Sequence, residues 1–71
     1  MSSEFNYMLL SRLQQDNEYF LNHGNRSIKS LWAGSVKDQI EKMKELWNSV
    51  EEKPEWLTMQ QILDYEKKMA A

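Results

Sequence analysis

A chain of 71 residues has room for one domain, and a domain of that size buries only about 60% of the surface its unfolded chain exposes. No cysteine is present, which excludes disulfides, thiolate metal sites and cysteine nucleophiles and leaves a core of large side chains, or self-association, to support the fold. Nine Lys and Arg against eleven Asp and Glu give a net charge of −2, and the cations are scattered from Arg12 to Lys68 rather than gathered into the basic stripe that duplex binding normally requires.

Three Trp, three Tyr and two Phe, with one Pro and two Gly, argue against disorder. Met1-Ser2-Ser3-Glu4 lacks the basic-then-apolar pattern of a leader, and the longest apolar run, Tyr7 to Leu10, is far too short to span a bilayer. The expectation is a cytoplasmic chain with no membrane contact.

Leu9, Leu10, Leu13, Phe20 and Leu21 fall on one helical face, with no Gly or Pro among them, and predict a first helix over residues 4 to 22. Asn22-His23-Gly24-Asn25 ends it, because Gly and Asn tolerate the left-handed conformation that closes a helix. Ser27 to Ala33 reads as a short helical turn stopping at Gly34, with Ile28, Leu31 and Trp32 directed at the core.

Ser35 caps the next helix, and Asp38 answers the positive end of its dipole. Val36, Ile40, Met43, Trp47 and Val50 then recur at a 4-3-4-3 spacing, a heptad seam too short for a coiled coil and suited to packing within a bundle. The outer face offers Asp38 to Lys42 and Lys37 to Glu41 at helical spacing.

Pro54, in the polar connector Glu51-Glu52-Lys53-Pro54-Glu55, stops this helix from running on. A complete helix start follows: Thr58 is the cap, Gln61 reaches back to it, and Leu57 and Ile62 form a hydrophobic staple. The last helix continues through Leu63, Tyr65 and Met69, with Asp64 four residues before Lys68. With no alternating β-branched pattern, the predicted fold is all-α, a small three-helix bundle with an additional short helical turn, filling residues 1–71 as one helical domain.

Few residues offer chemistry. His23, the single histidine, would need two convergent carboxylates to hold a metal, whereas beside Gly24 it suits the negative end of a helix dipole. Gly24-Asn25-Arg26-Ser27 with Lys29 resembles an anion nest but matches no nucleotide-binding fingerprint, so turn formation is the plainer use. Glu41, Glu45, Glu51, Glu52 and Glu55 lie on polar surfaces where nothing shifts a carboxyl toward acid–base work. No catalytic residue, metal ligand or cofactor is therefore expected.

The three tryptophans are the unusual feature. Trp47 lies on the heptad seam and belongs to the core, whereas Trp56, beside Pro54, and Trp32, just before Gly34, are either core residues or partly exposed partner contacts. Tyr7, Tyr19 and Met8 fall off the main stripe of the first helix and extend such a patch, with Arg26 and Lys29 as its cations.

Asn6-Tyr7-Met8-Leu9-Leu10-Ser11-Arg12-Leu13-Gln14, Glu18-Tyr19-Phe20-Leu21, Gly24-Asn25-Arg26, Leu31-Trp32-Ala33-Gly34, Gln39 through Trp47, and Lys53-Pro54-Glu55-Trp56-Leu57-Thr58-Met59, in that order, resemble one of the large polyvalent protein-associated domains. The resemblance covers nearly the whole chain. It departs at Asn22-His23 before Gly24, which weakens any role for His23. The resemblance implies a small module of bacterial mobile elements, found within very large proteins of phages and conjugative elements and as free-standing chains, with no associated catalytic residue set. The function expected on that basis is non-enzymatic protein interaction in a bacterial host cell. An inhibitor of a host defence complex, anti-CRISPR-like, is the alternative, and a small nucleic-acid-binding protein using Arg12, Arg26, Lys29, Lys42 and Lys44 is the second. The chain is expected as a monomer or a homodimer.

Overall fold

The computed structural model describes residues 3–23 and 25–70; its regular elements are all helices, with no strand among the described residues. Helix α1 spans Ser3–Asn22, a 3-10 turn spans Ile28–Ser30, α2 spans Val36–Ser49 and α3 spans Met59–Ala70. The three expected helices are present within a residue or two of their predicted ends, whereas the turn expected over Ser27 to Ala33 is shorter, at Ile28–Ser30. Gly24, the predicted helix stop, lies outside the described residues.

Contacts between the elements give the direction of each helix. Lys44 reaches Glu66 at 3.2 Å and the Trp47 indole donates to the Leu57 carbonyl at 3.0 Å, so late α2 meets early α3 and the two run antiparallel. Along the other side of α3 the order rises on both chains: Tyr7 donates to the Glu52 carbonyl, Gln14 to the Trp56 carbonyl, and Tyr65 to the Glu18 carboxylate, while Arg26 holds the carbonyls of Lys68 and Met69. Helices α1 and α3 are thus parallel, and the bundle runs up, down and up.

The core is formed by Leu10, Leu13 and Phe20 from α1, Leu31 from the turn region, Ile40, Met43 and Leu46 from α2, and Leu57, Ile62 and Met69 from the α3 segment. Leu9, Leu21, Val36, Trp47, Met59 and Tyr65 pack around it, half-buried. The buried face of α2 is turned from the predicted seam toward Gln39 and Leu46, so Trp47 sits at the core's edge with its indole N–H satisfied by Leu57. In the turn, only Leu31 reaches the core. Ile28 and Trp32, predicted to point inward, are about half exposed, because the helical turn stops at Ser30, short of Trp32, and buries none of its own residues.

Two polar side chains share this interior. Asn17 and Gln39 are wholly buried and join α1 to α2: Gln39 donates to the Leu13 carbonyl and to Asn17 Oδ1, each at 3.3 Å, and accepts from the Ala33 amide at 3.1 Å. Asn17 donates in turn to the Met43 sulfur at 2.9 Å. Every buried side-chain nitrogen and oxygen among the described residues has a partner, as a polar core requires.

The helix ends are closed as their residues predict. Ser35 accepts from the Asp38 amide at 3.2 Å, and Thr58 and Gln61 make both bonds of the capping box, at 2.8 and 3.2 Å. Past α1, Asn25 and Arg26 take left-handed φ values of 52° and 58°, and the Arg26 amide reaches back to the Phe20 carbonyl at 3.1 Å. Cations from outside the helices cap the other two. Lys53 donates to the carbonyls of Trp47 and Val50 at the end of α2, both at 2.7 Å, and Arg26 bonds the end of α3. On the outer face of α2, Lys42 pairs with Glu45 at 3.2 Å rather than with Asp38.

Candidate interaction surface

Asp16 and Gln14 lie two residues apart on α1 and therefore point to opposite flanks of that helix. Each pins a tryptophan backbone. The Trp32 amide donates to Asp16 Oδ2 at 3.1 Å, and the Trp56 carbonyl accepts from Gln14 at 3.3 Å. Both tryptophans remain open to solvent, at 49% for Trp32 and 43% for Trp56. The two predicted aromatic contacts thus lie on either side of α1, not in one patch.

The other predicted residues divide between these sides. Tyr19 is 52% exposed, stands in tilted contact with His23 with ring centroids 6.0 Å apart, and shares a shallow depression of about 350 Å³ with His23, Asn25, Ser27, Lys29 and Ser30. Tyr19 and Lys29 therefore come together on the Trp32 side. Tyr7 is half-buried and its hydroxyl is bonded to the Glu52 carbonyl, next to the connector that carries Trp56. Arg26 closes α3 and lies 5.4 Å over the Phe20 ring.

Of the five cations named for nucleic-acid binding, four have their side chains engaged within the chain. Arg12 faces Asp16 at 3.6 Å, Lys42 faces Glu45, Lys44 faces Glu66, and Arg26 is bound to the α3 carbonyls. Among the described residues no three His, Asp or Glu side chains converge on a point where a metal ion would sit. Burial, together with the bond to Glu18 and its charge, pushes the Tyr65 hydroxyl up to about 12, against an opposing bond from Gln14. It stays protonated and ties α3 to α1, a structural use.

The sequence reading did not single out the outer face of α1 as a whole. Phe5 and Met8 are 62% and 71% exposed, and with Arg12, Gln15, Tyr19 and Asn22 they form a second stripe at a 3-4-3-4-3 spacing, opposite the core stripe. That spacing was visible, but its polar members masked it. An open groove of about 480 Å³ runs along the same face, lined by Gln14, Gln15, Glu18, Tyr19, Asn22 and His23. No described helix is long and apolar enough to cross a membrane.

Neither the curated proteins nor the solved structures include a match to this chain. The family model of large polyvalent protein-associated domain 11 matches residues 3–69, in accord with the resemblance carried by the motifs from Asn6 to Met59, and the chain belongs to that family.

Proposed function

We propose that this chain is a non-enzymatic interaction module of a phage or conjugative element, acting in the bacterial host cell by docking a protein partner against its exposed aromatic residues. The observation that carries this reading is that Trp32 and Trp56 stand half exposed although the core closes without them, each with its backbone pinned to α1. Tryptophan is the side chain most enriched at binding hot spots, and a pinned backbone lowers the ordering cost of docking. Membership of a polyvalent protein-associated family supports the same setting. Tyr19 and Lys29 extend the Trp32 side, whereas Tyr7 and Arg26 contribute through the fold they hold together.

The test is affinity capture from the bacterial host with the native chain and with Trp32→Ala and Trp56→Ala, both surface changes that leave the core intact. At least one variant should lose a captured protein by about tenfold, the scale of a hot-spot truncation. Equal capture by all three chains would sink the reading.

Inhibition of a host defence complex is the second reading, favoured by Glu51, Glu52 and Glu55, which are all exposed around Trp56. An acidic rim about an aromatic anchor suits a surface that normally grips nucleic acid. Stoichiometric inhibition of a host defence nuclease, lost with Trp56→Ala, is the result this reading requires. The separate engagement of Arg12, Arg26, Lys42 and Lys44 counts against direct nucleic-acid binding.

A further inference from the structure

We propose that the outer face of α1 pairs with the same face of a second copy of this chain, the two helices running antiparallel. The inference rests on the interaction reading above and names one partner for it.

Phe5, Met8, Arg12, Gln15, Tyr19 and Asn22 have the spacing of a coiled-coil seam and are turned to solvent over about five helical turns. The comparable seam of α2 is closed off inside the chain, since Ile40, Met43 and Val50 are buried there. On α1 the seam carries both halves of a knob-and-hole contact. Met8 is the protruding knob, at 71% exposure. Gln15, Glu18, Tyr19 and Asn22, all lining the open groove, are the set at i, i+3, i+4 and i+7 that forms a hole for a facing side chain.

Knob and hole lie about 16 Å apart along one helix, at ~1.5 Å per residue, so a helix cannot fill its own hole. A second α1 laid antiparallel fills both at once: each Met8 enters the groove beside the partner's Tyr19, and two-fold symmetry repeats the contact. In the same register Phe5 meets the partner's Asn22 and Arg12 meets the partner's Gln15, so the apolar layers enclose two polar ones. Arg12, 63% exposed and 3.6 Å from its own Asp16, then faces the amide oxygen of the partner's Gln15 rather than a second cation. A parallel pair would set Arg12 against Arg12 and leave both grooves empty. A standard interface covers about 800 Å² per partner, close to a sixth of the 4881 Å² exposed by this chain. One seam of this length lies toward the lower end of that class, so the pair exchanges with monomer as concentration changes.

Because the chain has no cysteine, single introduced thiols report the register. Met8→Cys mixed with Tyr19→Cys under mild oxidation should give about tenfold more linked dimer than either variant alone, since disulfides form only between Cα atoms within about 7 Å. Met8→Cys linking to itself as readily would overturn the antiparallel register. Sedimentation equilibrium of the native chain should move from 8.5 kDa toward twice that mass as concentration rises. Met8→Glu, with helix content unchanged, should weaken the association about tenfold. An unaffected association would overturn the α1 face as its seat. A native chain that stays monomeric throughout would overturn the pairing while leaving capture through Trp32 or Trp56 standing; pairing without any such capture would sink the heterologous reading alone.

Discussion

Asn17 and Gln39 are the two residues whose environment departs furthest from their type, since both are polar and both are fully buried. They are tolerated because each satisfies the other, and the chain of bonds from Ala33 through Gln39 to Asn17 and Met43 sets the register of α1 on α2. Asn17→Leu should cost about 1–3 kcal/mol and Gln39→Leu more, because the latter leaves the Ala33 amide and Asn17 Oδ1 without a partner. The double change should cost less than the sum of the two, as for any pair within one network. Urea denaturation of the four chains measures this, and additive losses would remove the network from the account. Tyr65 supplies a second residue-scale test. Its hydroxyl is raised to about 12, so the folded state favours the protonated form. The associated stability is present below the ordinary tyrosine range near 10 and is lost as pH rises from there toward 12. Ultraviolet titration should show a late tyrosine step near 12, and Tyr65→Phe should remove it.

The helices owe their limits to short-range chemistry, and that is why their positions were legible. Thr58 and Gln61 make both capping-box bonds predicted from their spacing, and Ser35 makes its cap. Thr58→Ala should destabilise the chain by about 1 kcal/mol, seen as an earlier denaturation midpoint with the same slope; a changed slope would point instead to a denatured-state effect. The end closed by a distant cation could not be read in this way. Nothing between Arg26 and Lys68 fixes a contact until the bundle has assembled, whereas Lys53 stands only a few residues beyond α2. The same limit applies to burial. Asn17 follows Leu13 and precedes Phe20 at core spacing, yet a polar residue in a stripe ordinarily marks its edge; only the presence of Gln39 across the interface makes it an interior residue. Trp32 was assigned inward by its neighbours, but a single 3-10 turn leaves it outside, and the same turn placed it beside Asp16 as a candidate contact.

At the scale of the whole molecule, one small core carries everything. With stability of roughly 0.05–0.15 kcal/mol per residue, a chain this long holds about 4–11 kcal/mol in total. Leu13 is completely enclosed between the helices, so Leu13→Ala removes contacts on several sides and should cost about 2–5 kcal/mol, a large share of that total. Met8, on the opposite face of the same helix, makes no comparable contribution to the monomer, and Met8→Ala should shift its stability by less than about 0.5 kcal/mol. Denaturation at low protein concentration isolates the monomer term. Repeating it at high concentration adds any stabilisation by association, which grows with the logarithm of the free partner concentration. The native chain should then melt at a higher temperature as concentration rises, whereas Met8→Ala should show a weaker dependence. Matching concentration dependences for the two chains would mean that the exposed stripe of α1 stabilises no assembly, and that its apolar residues are only unburied surface.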